Sequence, residues 1–187
     1  GLGTTGYAYD PQGRLISTIR NSGDETRTST FTYNPNGYLA SATDPLTRIL
    51  SYQYDPVGRV TTFTGPDLRE THYAYDINGN LSQITPPGRP AHQFTHTAVD
   101  FPATYTAPAI DSIPREIVYS YNHDRQTTQV ARPDGKTIAF SYDDAGRLSG
   151  TNVTPDGDQI SYTYNGATGQ LAQVAGPDGV VQSYDYY

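Results

Sequence analysis

The residues best suited to chemistry in this chain are its carboxylates. The 187 residues include sixteen aspartates, three glutamates, four histidines and no cysteine. Paired carboxylates can share general-acid and nucleophilic or general-base roles. Among the aspartates the one adjacent pair is Asp143-Asp144. Most aspartates instead recur beside glycines, where a short acidic side chain bonds its own backbone and shapes a turn. The dense alternating acids of a calcium loop are missing. His92 and His96 are four apart, a spacing that presents two zinc ligands on a helix. They fall in a segment read below as extended, where that spacing loses its meaning. Without cysteine there is no disulfide and no thiolate metal site. No serine elbow, phosphate-binding loop or dinucleotide glycine fingerprint occurs. The expectation is a chain with no catalytic residue, cofactor or metal site, and therefore not an enzyme.

Charge narrows the partners. The formal net charge is -7. Lys136 is the single lysine, and eleven arginines are scattered along the chain. No basic patch would neutralise phosphates, so no nucleic-acid partner is expected. No run reaches the roughly 18 apolar residues of a membrane helix, so no membrane insertion is expected. The start, Gly1-Leu2-Gly3, lacks the charged and apolar regions of a signal peptide.

The aspartates and tyrosines are organised by a repeat. Tyr7-Ala8-Tyr9-Asp10 precedes Gly13-Arg14-Leu15, Tyr52-Gln53-Tyr54-Asp55 precedes Gly58-Arg59-Val60, and Phe140-Ser141-Tyr142-Asp143 precedes Gly146-Arg147-Leu148. Looser copies are Phe31-Thr32-Tyr33-Asn34 with Gly37, and Tyr73-Ala74-Tyr75-Asp76 with Gly79. Tyr119-Ser120-Tyr121-Asn122 opens a copy in which Arg125 takes the glycine place. Tyr162-Thr163-Tyr164-Asn165 has one extra residue before Gly169. The second aromatic stands at 9, 33, 54, 75, 121, 142, 164 and 186. The gap of 46 after Tyr75 is about two periods, and Phe94-Thr95-His96 lies in register inside it, with Asp100-Phe101-Pro102 in place of Gly-Arg-Leu. His96 then reads as a packed aromatic substitute. Residues 1–187 are expected to form a single array of eight copies and a truncated ninth.

Each period has a second punctuation point, clearest at Pro133-Asp134-Gly135, Pro155-Asp156-Gly157 and Pro177-Asp178-Gly179. Proline presets the first turn φ and glycine supplies a positive one. Two turns per period mean two strands. The expected fold is therefore all-β: antiparallel hairpins repeated in tandem as a twisted, coiled sheet ribbon of roughly 16 or 17 strands. Alternation puts Ile138, Phe140 and Tyr142 on one face and Thr137, Ala139 and Ser141 on the other. A buried ring at Tyr142 would make Tyr142→Ala cost roughly 3–5 kcal/mol. In the second strand of each pair, Val60 and Phe63, Leu81 and Ile84, and Leu171 and Val174 are three apart. Either a bulge intervenes or both faces are partly covered. The segment 86–114 holds six prolines, which read as an edge, a surface loop or an irregular insertion.

Tyr-x-Tyr-Asp-x-x-Gly-Arg-Leu at this spacing resembles the YD (Rhs) repeat of bacterial Rhs proteins, the B and C components of Tc toxins and, more distantly, teneurins. The resemblance covers nearly the whole chain. It implies a hollow β-shell whose full-length bacterial members hold a C-terminal toxin until delivery. It implies as partners the rest of the parent shell and the enclosed toxin domain, with self-association through open sheet edges, and a secreted or bacterial cell-surface parent. Only a few of a shell's repeats are present, so a fragment is expected. The family's self-cleaving Asp-Pro-x-Gly core has no counterpart beyond Asp55-Pro56-Val57-Gly58, which lies in an ordinary repeat. The sequons Asn80-Leu81-Ser82 and Asn152-Val153-Thr154 carry no meaning in a bacterial protein. Because exposed tyrosines can stack on sugars, an adhesive or carbohydrate-binding module, with a glycan as partner, is the alternative.

Overall fold

A computed structural model describes residues 3–22, 25–109 and 115–187. Within them every regular element is a β-strand. The chain divides into two compact units, Gly1–Ala91 and His92–Tyr187.

The first unit holds β1 (Thr4–Tyr9), β2 (Leu15–Ser22), β3 (Glu25–Tyr33), β4 (Leu39–Thr43), β5 (Ile49–Tyr54), β6 (Val60–Thr64), β7 (Glu70–Tyr75) and β8 (Leu81–Thr85). Each strand pairs antiparallel with the next, so the sheet grows in sequence order. The second unit holds β9 (His92–His96), β10 (Pro102–Thr106), β11 (Glu116–Tyr121), β12 (Thr127–Ala131), β13 (Thr137–Tyr142), β14 (Leu148–Thr154), β15 (Asp158–Tyr164), β16 (Leu171–Ala175) and β17 (Val181–Ser183). It grows by the same rule. The described residues thus carry 17 strands, as the two-turn period requires.

The turns explain why the strands are short. In Asp10-Pro11-Gln12-Gly13 the Gly13 amide donates to the Asp10 carbonyl at 2.9 Å, and the Asp10 amide donates to the Arg14 carbonyl at 2.9 Å. This is a type I turn closed by a left-handed residue, Gly13 at φ 79°. Thr47, Leu68, Asp100 and Arg125 hold the same left-handed conformation, with φ between 61° and 64°, at places where other copies have glycine.

The three-residue spacing is a bulge. Tyr54 pairs with Val60 but Gln53 pairs with Thr62, so Thr61 is the extra residue. The same shift occurs between Ala74 and Tyr75 and between Thr163 and Tyr164. Val60 and Phe63 therefore share the face of Tyr54 and Tyr52, and the Tyr52 and Phe63 rings sit 5.4 Å apart.

Two expectations change. Residues 92–106 do not form a loop: His92–His96 and Pro102–Thr106 are paired strands. Pro102 opens its strand beside a bulge, a place where a missing N–H is tolerated. Pro114 lies outside the described residues. The rings are also less enclosed than a buried core requires. Among the described residues no hydrophobic side chain is fully buried. A single sheet layer covers each ring only with its neighbours on the same face.

Candidate functional site

The recurring constellation links each repeat to the one before it. It begins at the turn aspartate. One Asp10 carboxylate oxygen accepts from the Gln12 amide at 3.0 Å and the Arg14 amide at 2.9 Å. The other accepts from Arg14 Nε at 2.7 Å. Asp55 with Val57 and Arg59 repeats this geometry, as does Asp143 with Ala145 and Arg147. Burial pushes the Asp10 and Asp55 carboxyls up, but the amide, guanidinium and charge of the following arginine outweigh it and hold both below the usual range. At Asp143 the Arg147 guanidinium and amide hold the carboxyl down against burial. These three carboxylates are engaged by the amides and the arginine of their own turns.

The arginine fixed in this way lies over the tyrosine of the next repeat. Arg14 sits 4.5 Å from the centre of the Tyr33 ring, Arg59 4.6 Å from Tyr75, and Arg147 4.3 Å from Tyr164. Where the arginine is replaced, an aromatic can take its place. Tyr38 packs on Tyr54 at 5.1 Å and Phe101 on Tyr121 at 5.2 Å.

That tyrosine completes the link. Its hydroxyl donates to a main-chain carbonyl of the preceding repeat: Tyr33 to Leu15, Tyr54 to Leu39, Tyr75 to Val60, Tyr142 to Thr127 and Tyr164 to Leu148, all at 2.8 Å, and Tyr121 to Pro102 at 2.9 Å. The ladder between the two strands stops just short of each such carbonyl. The β6–β7 pairing ends at Thr62 and His72, and Tyr75 then reaches Val60. The bulge leaves a carbonyl that the next strand's backbone does not take, and the tyrosine satisfies it. Burial raises the Tyr54, Tyr75 and Tyr121 hydroxyl pKa values, so each stays a neutral donor.

The other repeat positions fall around this clasp. Tyr52, Tyr73, Tyr119 and Tyr162 lie two residues before clasp tyrosines, and Tyr7 two before Tyr9, each pair on one face of its strand. Gly37, Gly58, Gly79, Gly146 and Gly169 occupy the left-handed turn place. Asp76 accepts from the Asn78 and Asn80 amides at 3.0 and 2.8 Å. Tyr9, in the first copy, is 59% exposed. In the degraded copy His96 pairs with Pro102 as other copies pair tyrosine with leucine, and Thr97 stands in for aspartate, accepting from the Phe101 amide at 3.1 Å. Sequence reasoning did not single out the arginines. Their signal was visible as the fixed Arg after the turn glycine.

Among the described residues no three His, Cys, Asp or Glu side chains stand together as metal ligands. His92 and His96 share one strand, where four residues span about 13 Å. His92 instead stacks on Tyr105 and hydrogen-bonds its hydroxyl at 2.8 Å.

Tandem antiparallel hairpins, a bulge in each period and a tyrosine that in six copies ties one repeat to the last define an all-β structural repeat. The chain belongs to the teneurin YD-shell family, which matches residues 1–186. No curated protein matches it. Among solved structures it is similar to the TcdB2-TccC3-Cdc42 crystal structure at 15% identity, covering 97% of this chain and 13% of that one, with TM-score 0.45. TcdB2-TccC3 is similar at 15% identity, covering 97% of this chain and 14% of that one, with TM-score 0.42. The Photorhabdus luminescens Tc holotoxin pore follows at 16% identity, 96% and 13% coverage, and TM-score 0.42. The chain spans 13–14% of the length of these structures.

Proposed function

We propose that this chain is wall in a larger YD-repeat shell that encloses and helps deliver a C-terminal toxin or effector domain of the full-length protein. The single observation behind this reading is the clasp. In six copies it uses the turn, the bulge and the conspicuous tyrosine to hold neighbouring repeats together. The most distinctive side chains are therefore occupied by the wall itself. In this reading the chain performs no catalysis and binds no cofactor. Its partners are the remaining repeats, contacted through sheet edges, and the enclosed domain. The parent is a secreted or cell-surface bacterial protein. Limited proteolysis of the full-length protein tests the proposal. The C-terminal domain should resist protease while the shell is intact and become sensitive once the shell is opened. Equal sensitivity in both states would contradict enclosure.

A further inference from the structure

One patch of the aromatic face departs from the repeat pattern. On β2 and β3, Arg20 and Arg27 are direct cross-strand partners. Like charges placed opposite each other disfavour the pairing, and they are the more conspicuous in a chain of net charge -7. Thr5 on β1 is the partner of Arg20 on its other side. The next row on the same face is Tyr7, Thr18 and Ser29. These six side chains line a cleft of about 400 Å³. Arg27 makes an exposed ion pair with Glu25 at 3.1 Å. Among the described residues Arg20 has no ionic partner. Arg27 also borders an adjoining cleft of about 570 Å³, where Arg48 pairs with Asp44.

We infer that this patch binds an acidic saccharide. Two arginines paired across the strands and lining one cleft match a carboxylate or sulfate, which would relieve their mutual repulsion. Three aliphatic hydroxyls in the same cleft can exchange hydrogen bonds with sugar hydroxyls. The Tyr7 ring, 61% exposed, offers a flat face for a pyranose. The lining of the first cleft has no large aliphatic side chain to receive an apolar peptide anchor; Leu46 lines only the adjoining one. The adjoining cleft adds length for a chain of sugars, and its two carboxylates, Glu25 and Asp44, are each paired with an arginine. The inference does not depend on enclosure of a toxin.

Calorimetric titration of the protein tests it. The probes are oligogalacturonate, a sulfated oligosaccharide, neutral dextran of similar length, inorganic sulfate and oligoglutamate. The saccharide acids should bind, and Arg20→Ala and Arg27→Ala should each weaken them by about tenfold or more. Tyr7→Ala should weaken them as well. Dextran, sulfate and oligoglutamate should all bind more weakly. Removing one arginine of a repelling pair should leave the melting temperature unchanged or raised, which separates lost binding from lost folding. Arg20→Gln provides a second folded variant. Undiminished binding by the arginine variants, or equal binding of dextran, would overturn the site. Sulfate alone binding as tightly would reduce it to an anion site, and oligoglutamate binding as tightly would make the partner an acidic peptide. Either result overturns the saccharide assignment.

Discussion

The Tyr75 hydroxyl donates at 2.8 Å to the main-chain carbonyl of Val60, fifteen residues earlier and in the preceding repeat. The acceptor is backbone, so it imposes no side-chain requirement. That is why Leu15, Val60, Pro102 and Thr127 can all serve at the same place. The donor is a side chain, so tyrosine recurs.

Removing only the hydroxyl isolates this bond. Tyr142→Phe should cost about 1 kcal/mol in urea-induced unfolding. Tyr142→Ala also removes a half-buried ring, and should cost about 2–3 kcal/mol, less than a buried ring would. A loss for Tyr142→Phe indistinguishable from zero would mean that water replaces the bond freely.

The arginine over the next tyrosine should couple measurably to it. A double-mutant cycle on Arg147→Gln and Tyr164→Leu should give an interaction of about 0.5–1 kcal/mol. An interaction near zero would make the 4.3 Å approach energetically idle.

The turn carboxylates set an acid limit. Asp10, Asp44, Asp55 and Asp143 all have pKa values below the ordinary 3.8. A depressed folded pKa contributes stability above the unfolded value, and loses it as pH falls through the folded value. The melting temperature should therefore hold between about pH 5 and 7 and fall below about pH 4. Replacing Asp10, Asp55 and Asp143 together with asparagine should flatten that fall while lowering the neutral-pH melting temperature.

Turn positions predict opposite signs for similar-looking changes. Leu68 is 83% exposed with φ 61°, so Leu68→Gly should stabilise by about 0.5–1 kcal/mol. Gly58→Ala should destabilise by more than Gly13→Ala. Both have positive φ, but a Cβ on Gly58 would run into the Tyr38 hydroxyl, whereas one on Gly13 would meet nothing. Equal costs would show that backbone strain alone decides.

The strands and their order were legible because two turn signals per period leave little choice of topology. The degraded copy was legible at His96 because register survives even when residue types do not. The Val60–Phe63 spacing pointed to a bulge without deciding for one, since uncovered and covered faces give the same pattern in one strand. The carbonyl acceptors were invisible because every residue carries one. The strands at 92–106 were obscured by prolines, whose effect depends on whether the missing N–H falls at a bulge. The Arg20–Arg27 pairing was hidden for a different reason: it depends on the register of β2 against β3, which residue types there do not fix.

Electron microscopy of the full-length protein that contains this chain tests the shell account most directly. The account predicts β1 to β17 in the wall of a hollow shell, with the six tyrosine clasps closed, and density for a further domain inside. A segment folded as a separate module outside any enclosed cavity would contradict it.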